Sequence, residues 1–141
     1  MTDDQARIDQ LQGLIDGCTR AVVFTGAGIS TESGIPDFRS PGGVWTRYSP
    51  IQYQDFVSSH EARVESWRRK FDDSYGFDGA EPNRGHRAVE KLVRIGKVSA
   101  VITQNTDGLH LASGISDDQV IELHGNSTYA ACLDCGLRHD L

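Results

Sequence analysis

Three short groups of residues in this sequence could carry chemistry, and each of them directly follows an apolar run. The first is the glycine turn Gly26-Ala27-Gly28, whose backbone N–H groups could contact a pyrophosphate near the start of a helix. The second group, Gln104 to Asp107, offers amide and carboxylate side chains that could bind ribose hydroxyls or a carboxamide. The third is His124, because a histidine ring at the end of a strand is well placed for proton transfer. Together these residues have the composition of an active site.

Cys132 and Cys135 form a further group, with the C-x-x-C spacing of half a tetrahedral zinc site. Closing such a site needs two more ligands, and His139 is a weak candidate for one of them. A redox role fits less well, because the pair neither follows a predicted strand nor begins a clear helix. Cys18 stands alone, and we expect it to be a small buried apolar residue.

The apolar pattern predicts the elements that would position these groups. Short apolar runs typical of buried parallel strands occur at 21–25, 98–103 and 119–123. Apolar residues at spacings of three and four predict helices at 3–17, about 60–72, and around Ala88 to Val93, with Gly96 at the C′ position. Long loops separate them at 34–50 and 72–83. This alternation predicts an α/β domain with a Rossmann-like, doubly wound parallel sheet.

Each polar group also has an explanation that involves no ligand. The glycine turn could be a tight strand-to-helix turn, and Thr31 occupies the third glycine position of the dinucleotide-binding pattern. Asn105 and Asp107 could cap the next short helix, and a lone histidine is more often structural than catalytic. In an open parallel sheet, however, ligands bind beyond the carboxyl ends of the strands. The shared position at three strand ends therefore favours one ligand site.

Composition argues against several classes of protein. The 141 residues carry 14 basic and 20 acidic side chains, and the resulting net charge of −6 disfavours a nucleic-acid-binding protein. The dense basic run Arg68-Arg69-Lys70 is expected to be a solvated helix face. No apolar run approaches the roughly 20 residues that span a bilayer, and the acidic N-terminus lacks the pattern of a secretion signal. We therefore expect a cytoplasmic protein that contacts neither membrane nor nucleic acid.

Four blocks of sequence together resemble the sirtuins, the NAD-dependent protein lysine deacylases. In chain order the blocks are GAGISTESGIPDFR at 26–39, TQNTDGLH at 103–110, ELHG at 122–125 and the pair Cys132 and Cys135. The resemblance extends over about residues 5–137. It implies NAD as cofactor, structural zinc, and an acyl-lysine protein or peptide as partner.

The resemblance also implies roles for individual residues. The catalytic residues would be His124, as general base, and Asn105, which with Gln104 would hold ribose hydroxyls and a bound water. Phe38 would cover the reactive ribose carbon, and Asp107 would grip the nicotinamide carboxamide. The implied cofactor contacts are Gly26, Ala27, Gly28, Ser30, Ile35, Asp37, Phe38, Arg39, Gln104, Asn105, Asp107 and His124. The implied zinc ligands are Cys132 and Cys135.

The same resemblance divides the chain into two parts. Residues 1–130 would form part of a Rossmann-like NAD-binding catalytic domain, with a mobile cofactor-binding loop at 38–57, and residues 131–141 would begin a zinc ribbon. The sheet would be incomplete at its C-terminal side, because the family's second C-x-x-C pair and later strands do not follow Cys135. We therefore expect a truncated reading frame or an excerpt.

The activity implied by the resemblance is transfer of an acyl group from lysine to the ADP-ribose of NAD, with release of nicotinamide. Two alternatives are a mono-ADP-ribosyltransferase on the same fold, in which another nucleophile captures the ribose carbon, and a non-catalytic NAD-binding fragment.

Overall fold

The computed structural model describes residues 3–141. The α-helices are α1 (Asp3–Gly17), α2 (Tyr53–Ser58), α3 (His60–Phe71), α4 (Arg84–Arg94) and α5 (Leu109–Ala112). The strands are β1 (Ala21–Thr25), β2 (Val98–Thr103), β3 (Val120–Glu122), β4 (Tyr129–Ala131) and β5 (Arg138–Asp140). Within this range no helix is both long enough and apolar enough to cross a bilayer.

A parallel sheet with the strand order β1-β2-β3 forms the centre of the fold. Its register places Thr25 opposite Thr103, and Thr103 opposite Glu122, at the carboxyl ends of the strands. The predicted strands at 21–25 and 98–103 are confirmed, whereas the third is shortened to β3 because residues 117–119 form a 3₁₀ turn. A parallel α/β arrangement is therefore established.

Helix α4 covers one face of the sheet. The buried side chains between α4 and the sheet belong to Val89, Val93, Val98, Val101 and Ile115. These branched side chains pack the interior with few rotamers to lose, which suits a small core. Gly96 has a φ of +77° and lies just after α4, so the predicted C′ glycine is confirmed.

Asn83 fixes the N-terminus of α4 to the turn that follows β1. Its side-chain oxygen accepts hydrogen bonds from the backbone N–H groups of Gly85 (2.8 Å) and His86 (3.4 Å). In return, the backbone N–H of Asn83 donates to Nδ1 of His86 at 3.3 Å, which completes a capping box. The Asn83 amide nitrogen donates to the carbonyl of Ile29 at 2.7 Å. The cap thus joins α4 to the glycine-turn region.

The opposite face of the sheet is exposed. Val22 is 54% exposed and Phe24 is 60% exposed, and Ile121 on β3 is exposed beside them. Side chains alternate between the two faces of a strand, so these residues point away from the core that contains Val101. Within residues 3–141, the face of the sheet that carries Val22 and Phe24 is therefore uncovered. A doubly wound sheet, which has helices on both faces, stays a prediction.

Helix α1 forms as predicted, but its apolar stripe is not buried. The side chains of Ile8, Leu11 and Leu14 are all exposed. Lys97 stabilises the C-terminal end of the helix, because its ammonium donates to the carbonyls of Ile15 (3.1 Å), Asp16 (3.1 Å) and Cys18 (3.2 Å). Cys18 is only partly buried, so the expectation of a buried cysteine is wrong.

The irregular connection between β1 and α2 is shaped by a close backbone approach. The backbone N–H of Val44 donates to the carbonyl of Asp37 at 2.8 Å, and the Val44 side chain is buried. A Cβ atom at Gly43 would lie 2.7 Å from the same carbonyl oxygen. Only glycine therefore fits at this position.

Arg69 ties α3 to this connection. The residue is 9% exposed, and its guanidinium donates to the carbonyl of Ser49 and to a carboxylate oxygen of Glu65, both at 2.7 Å. It also lies over the ring of Tyr48, 5.1 Å from the centroid. The expectation of a solvated basic face is therefore wrong for Arg69, because three partners from the loop and the helix bury its charge.

A separate antiparallel hairpin of β4 and β5 follows the parallel sheet. Tyr129 pairs with Asp140, and the guanidinium of Arg138 lies 4.2 Å from the centre of the Tyr129 ring. The turn of the hairpin carries Cys132 and Cys135, and it is closed by a hydrogen bond from Gly136 N–H to the carbonyl of Cys132 at 2.9 Å.

Candidate functional site

The carboxyl ends of β1, β2 and β3 open onto one cavity of about 450 Å³. Most of the candidate cofactor-binding residues line it, namely Ala27, Ser30, Ile35, Asp37, Phe38, Arg39, Gln104, Asn105, Asp107 and His124. Gly26 and Gly28 do not line it, although Gly26 contacts Asn105 through its carbonyl. The structure therefore brings the three polar groups that follow the strands to a common site.

Asn105 joins the ends of β1 and β2. Its amide nitrogen donates to the carbonyl of Gly26 at 3.2 Å and to Oγ of Ser30 at 3.1 Å. Its backbone N–H donates to Oγ1 of Thr103 at 3.0 Å. The residue is buried, and both of its amide hydrogens have acceptors, which leaves the side-chain oxygen as the polar atom free to bind a ligand.

Asp107 is oriented by two donors from different elements. The hydroxyl of Ser30 donates to Oδ2 at 2.7 Å, and the backbone N–H of Leu109 donates to Oδ1 at 2.9 Å. The carboxylate is thus held between the 3₁₀ turn after β1 and the start of α5. Each carboxylate oxygen retains a further lone pair, so the group can still accept a hydrogen bond from a ligand.

Aromatic side chains form another wall of the cavity. The rings of Phe38 and Trp45 are 5.6 Å apart, and the guanidinium of Arg39 lies 5.2 Å from the centre of the Trp45 ring. Tyr75 and Phe77 line the cavity from the 72–83 loop, with ring centroids 5.9 Å apart. Sequence analysis missed this pair, and its only signal was two aromatic residues within a polar connection.

Asp37 stabilises the loop that carries Phe38 and Arg39. Its carboxylate accepts hydrogen bonds from the backbone N–H groups of Arg39 (3.1 Å) and Ser40 (2.8 Å). Hydrogen bonds from the Ser40 hydroxyl and then the Ser40 backbone hold the pKa of the Asp37 carboxyl below its ordinary value. Asp37 therefore remains ionised at neutral pH and fixes the backbone of the loop that carries Arg39.

The glycine turn leaves open space beside the backbone. A Cβ atom built at Gly26 or at Gly28 would meet no other atom within 4 Å. Neither position has a positive φ, so the protein's own backbone does not require glycine there. The space suits a group that approaches the main chain closely, such as a phosphate.

His124 lies in the turn after β3 and reaches the cavity from the exposed side. The preceding backbone is fixed by a hydrogen bond from Leu123 N–H to the carbonyl of Thr103 at 2.9 Å. Gly125, with a φ of +79°, allows the chain to reverse immediately after the histidine. An imidazole at a solvent-accessible rim can exchange protons with water during a reaction cycle.

Two further histidines lie buried behind the cavity, and sequence analysis missed both. His86 is 0% exposed and His110 is 2% exposed, and their rings meet edge to face with centroids 5.1 Å apart. Burial lowers the pKa of His110 to about 4, and the neighbouring His86 contributes to this shift. Burial also lowers the pKa of His86. The sequence pattern that could have predicted a buried His86 is its position three residues before Val89 and seven before Val93. This spacing places all three residues on the same, buried side of α4.

Cys132 and Cys135 lie exposed at the hairpin turn. Hydrogen bonds from the backbone of Cys135 and of Asp134, together with the Cys135 thiol, lower the pKa of Cys132. A more acidic thiol is a better metal ligand, so the pair fits half of a tetrahedral donor set. In the part of the chain that the structure describes, no three His, Cys, Asp or Glu side chains are grouped to hold a metal ion.

Comparison with known proteins gives consistent matches. The model of the Sir2 family matches residues 26–141. The NAD-dependent protein deacetylase 1 of Bradyrhizobium diazoefficiens is 56% identical over 140 residues, which cover 99% of this chain and 55% of that protein. The NAD-dependent protein deacetylase of Rhodopseudomonas palustris is 55% identical over 134 residues, covering 95% and 53%. A solved Sir2 complex with a p53 peptide and NAD⁺ has a TM-score of 0.78 at 36% identity, covering 94% of this chain and 52% of that chain. The chain thus spans about half the length of the relatives it matches.

The buried state of His110 predicts that folding stability falls as the pH is lowered from about 6.5 towards about 4. In this interval the unfolded chain binds a proton at His110 and the folded chain does not, so protonation favours unfolding. The loss between pH 7.5 and pH 5 should be on the order of 2 kcal/mol for this group, measured by urea unfolding. His86 acts in the same direction, because its pKa is also lowered.

Two histidine variants separate this effect from other titrations. His110→Gln removes the titrating ring and should give a shallower dependence of stability on pH, whereas His60→Gln replaces an exposed histidine and should retain the original slope. Carboxylates with a lowered pKa, such as that of Asp37, act at more acidic pH than this window. An unchanged slope in His110→Gln would contradict the prediction.

Proposed function

The chain belongs to the Sir2 family, and from this premise we propose that it forms the NAD-binding part of an NAD-dependent protein lysine deacetylase. The observation that carries the proposal is the single cavity at the strand ends, which Asn105, Asp107 and His124 line together. Two relatives that match nearly the whole chain are named NAD-dependent protein deacetylases, which supports the same activity.

Several features of the cavity fit NAD as its occupant. The open space beside Gly26 and Gly28 allows a pyrophosphate to approach backbone N–H groups without a steric clash. Arg39 supplies the cation that a diphosphate attracts, and Phe38 supplies an apolar surface for a ribose or nicotinamide ring. The free oxygen of Asn105 can accept a hydrogen bond from a ribose hydroxyl. The cavity and the glycine turn beside it therefore offer partners for the pyrophosphate, a ribose and the nicotinamide ring.

Asp107 would select the nicotinamide end of NAD. A carboxamide has N–H donors, and the carboxylate of Asp107 is an acceptor whose position is already fixed by Ser30 and Leu109. A group held in advance loses little conformational entropy when it binds its ligand. We therefore assign the carboxamide contact to Asp107 and the ribose contacts to Asn105 and Gln104.

His124 would act as the general base. NAD, when bound, would supply an electrophilic ribose carbon for capture by the acyl oxygen of the substrate lysine, with nicotinamide as the leaving group. An imidazole nitrogen of His124 would then accept the proton of a ribose hydroxyl, because this side chain reaches the cavity from its solvent side. Solvent contact also lets the imidazole release that proton before the next cycle.

The partner would be an acyl-lysine protein or peptide. This assignment draws on the solved Sir2 structure that contains a p53 peptide together with NAD⁺. The mono-ADP-ribosyltransferase alternative is not favoured, because the relatives are named deacetylases. A cytoplasmic location and the mobility of residues 38–57 stay predictions.

Zinc is proposed as a structural ion held at the β4–β5 turn. The thiol of Cys132 is made more acidic by its neighbours, and Cys135 lies within hydrogen-bonding reach of it. Two thiolates supply half of a tetrahedral coordination shell, and zinc there would brace the hairpin without contributing to the reaction.

Gly26→Ala should weaken NAD binding by at least about tenfold, because a methyl group would occupy the space proposed for the pyrophosphate. Folding stability should be almost unchanged, since the added Cβ meets no protein atom within 4 Å. Isothermal titration with NAD measures the affinity, and urea unfolding measures the stability.

Gly13→Ala is the matched control, because Gly13 also has open space around it but lies in α1. Its NAD affinity should equal that of the unaltered chain. If Gly26→Ala bound NAD as tightly as this control, the pyrophosphate would not lie against the glycine turn.

His124→Ala should leave the dissociation constant for NAD within about threefold of its original value and lower the rate of deacylation by at least about 100-fold. The reason is that a general base acts on the reacting proton and adds little to ground-state binding. Mass spectrometry of an acetyl-lysine peptide incubated with NAD and the protein follows loss of the acetyl group. Retained turnover would remove His124 as the base, and a peptide that instead gained ADP-ribose would favour the alternative activity.

Cys132→Ser should abolish the weak zinc binding expected of the hairpin, whereas Cys18→Ser should leave it unchanged. Binding is expected to be weak because only two thiolates are available from this turn. Titration with a colorimetric zinc indicator measures the affinity of each variant. Tight zinc binding that persisted in Cys132→Ser would place the metal elsewhere in the protein.

A further inference from the structure

A chain of hydrogen bonds leads from the buried His110 to Asn105 in the cavity. Nε2 of His110 lies 2.8 Å from Oγ1 of Thr25. The Thr25 hydroxyl donates to Oγ1 of Thr103 at 2.9 Å, and that oxygen also accepts the backbone N–H of Asn105 at 3.0 Å. All four residues are buried, so water does not compete for these bonds.

The direction of these bonds fixes the position of the proton on each imidazole. If Thr25 gives its only hydroxyl hydrogen to Thr103, its oxygen accepts from His110 and the proton of His110 lies on Nε2; the reverse direction would instead require the Nδ1–H tautomer. Nδ1 of His86 accepts the backbone N–H of Asn83, which places the proton of His86 on Nε2 as well.

This assignment leaves one unpartnered donor and one unpartnered acceptor on the two adjacent rings. Nε2 of His86 and Nδ1 of His110 are the buried side-chain atoms without a hydrogen-bond partner in residues 3–141. The first carries a hydrogen and the second carries a lone pair, so they are complementary. The rings meet edge to face with centroids 5.1 Å apart, so these two nitrogens belong to rings that pack directly against each other.

We propose that His110 is a positioning residue for Asn105, acting through the hydroxyls of Thr25 and Thr103, and that His86 holds the His110 ring in the required orientation. The amide of Asn105 is fixed at its outer side by Gly26 and Ser30, and its backbone is fixed from below by Thr103. Loss of the lower contact would let the backbone shift and would move the ligand-facing oxygen. The test by NAD affinity rests on the proposed function, whereas the tests by nuclear magnetic resonance do not.

The arrangement works only while both rings are neutral. A proton added to Nδ1 of His110 would put an N–H group on both unpartnered nitrogens, and the donor–acceptor pair would be lost. The charged group that acts on both rings is Asp107, whose negative charge raises the pKa of each. Burial outweighs this effect and keeps the pair neutral near pH 7.

Nuclear magnetic resonance of the unliganded chain tests the proposal without any variant. Nitrogen-15 shifts of the imidazoles should show the neutral Nε2–H tautomer for both His86 and His110 near pH 7, and for His110 down to about pH 5.5. His60 is exposed on α3, outside this network, and its resonances serve as an internal reference. An Nδ1–H tautomer or a charged ring at His110 near pH 7 would overturn the proposal.

Three variants test the effect on Asn105. Thr25→Val keeps the shape of the side chain and removes the linking hydroxyl, and His110→Leu removes the donor. Both should shift the backbone amide resonance of Asn105 and raise the dissociation constant for NAD by about tenfold. His110→Gln places an amide donor at a reach similar to that of Nε2, so it should stay within about threefold of the original affinity.

His60→Leu is the control for replacing a histidine, and it should change neither readout because His60 is exposed on α3. Thr25→Val carries the test if His110→Leu does not fold. A folded Thr25→Val variant with an unshifted Asn105 amide would overturn the positioning role. If the unaltered chain binds no NAD, the proposed function fails, and the tautomers and the Asn105 shift still decide this inference.

Discussion

The register between β1 and β2 is the constraint on which the site depends. It places Thr25 beside Thr103, with both hydroxyls on the buried side of the sheet and 2.9 Å apart. A slip of one residue would send every side chain of β1 to the opposite face. Val22 and Phe24 would then compete for the interior, and the threonine pair under Asn105 would be lost. The apolar pattern of β1 therefore determines, through the register, where the polar atoms of the cavity lie.

Local patterns in the sequence predict much of this arrangement. The apolar runs predict β1 and β2, Gly96 predicts the end of α4, and the polar residues that follow the strands predict the shared site. Each of these features depends on neighbours within a few positions, or on the general rule that parallel strands end at a common edge. A single sequence contains both kinds of information.

Contacts between distant segments were not predictable in the same way. Arg69 is buried because it reaches the carbonyl of Ser49, which lies twenty positions earlier in the chain. Nothing in the run from Arg68 to Lys70 distinguishes the residue that meets this partner. Helix α1 shows a second limit of prediction from sequence. An apolar stripe indicates which side of a helix favours burial, but it does not indicate which element covers that side. In residues 3–141, Leu14 and the other apolar residues of the stripe are exposed, which the stripe alone did not predict.

The different surroundings of the histidines suit the different roles that we propose for them. His110 is enclosed by protein, and burial lowers its pKa to about 4, so near neutral pH it acts as a fixed hydrogen-bond donor. His124 lies at the rim, where solvent can supply and remove protons, and this is what a base needs in every cycle. Exchanging the two environments would defeat both roles, since a buried base could not release its proton and an exposed donor would be solvated. The fold thus separates the residue that we propose as the base from the residues that we propose hold the cavity in shape, and the Thr25–Thr103 pair lies between them.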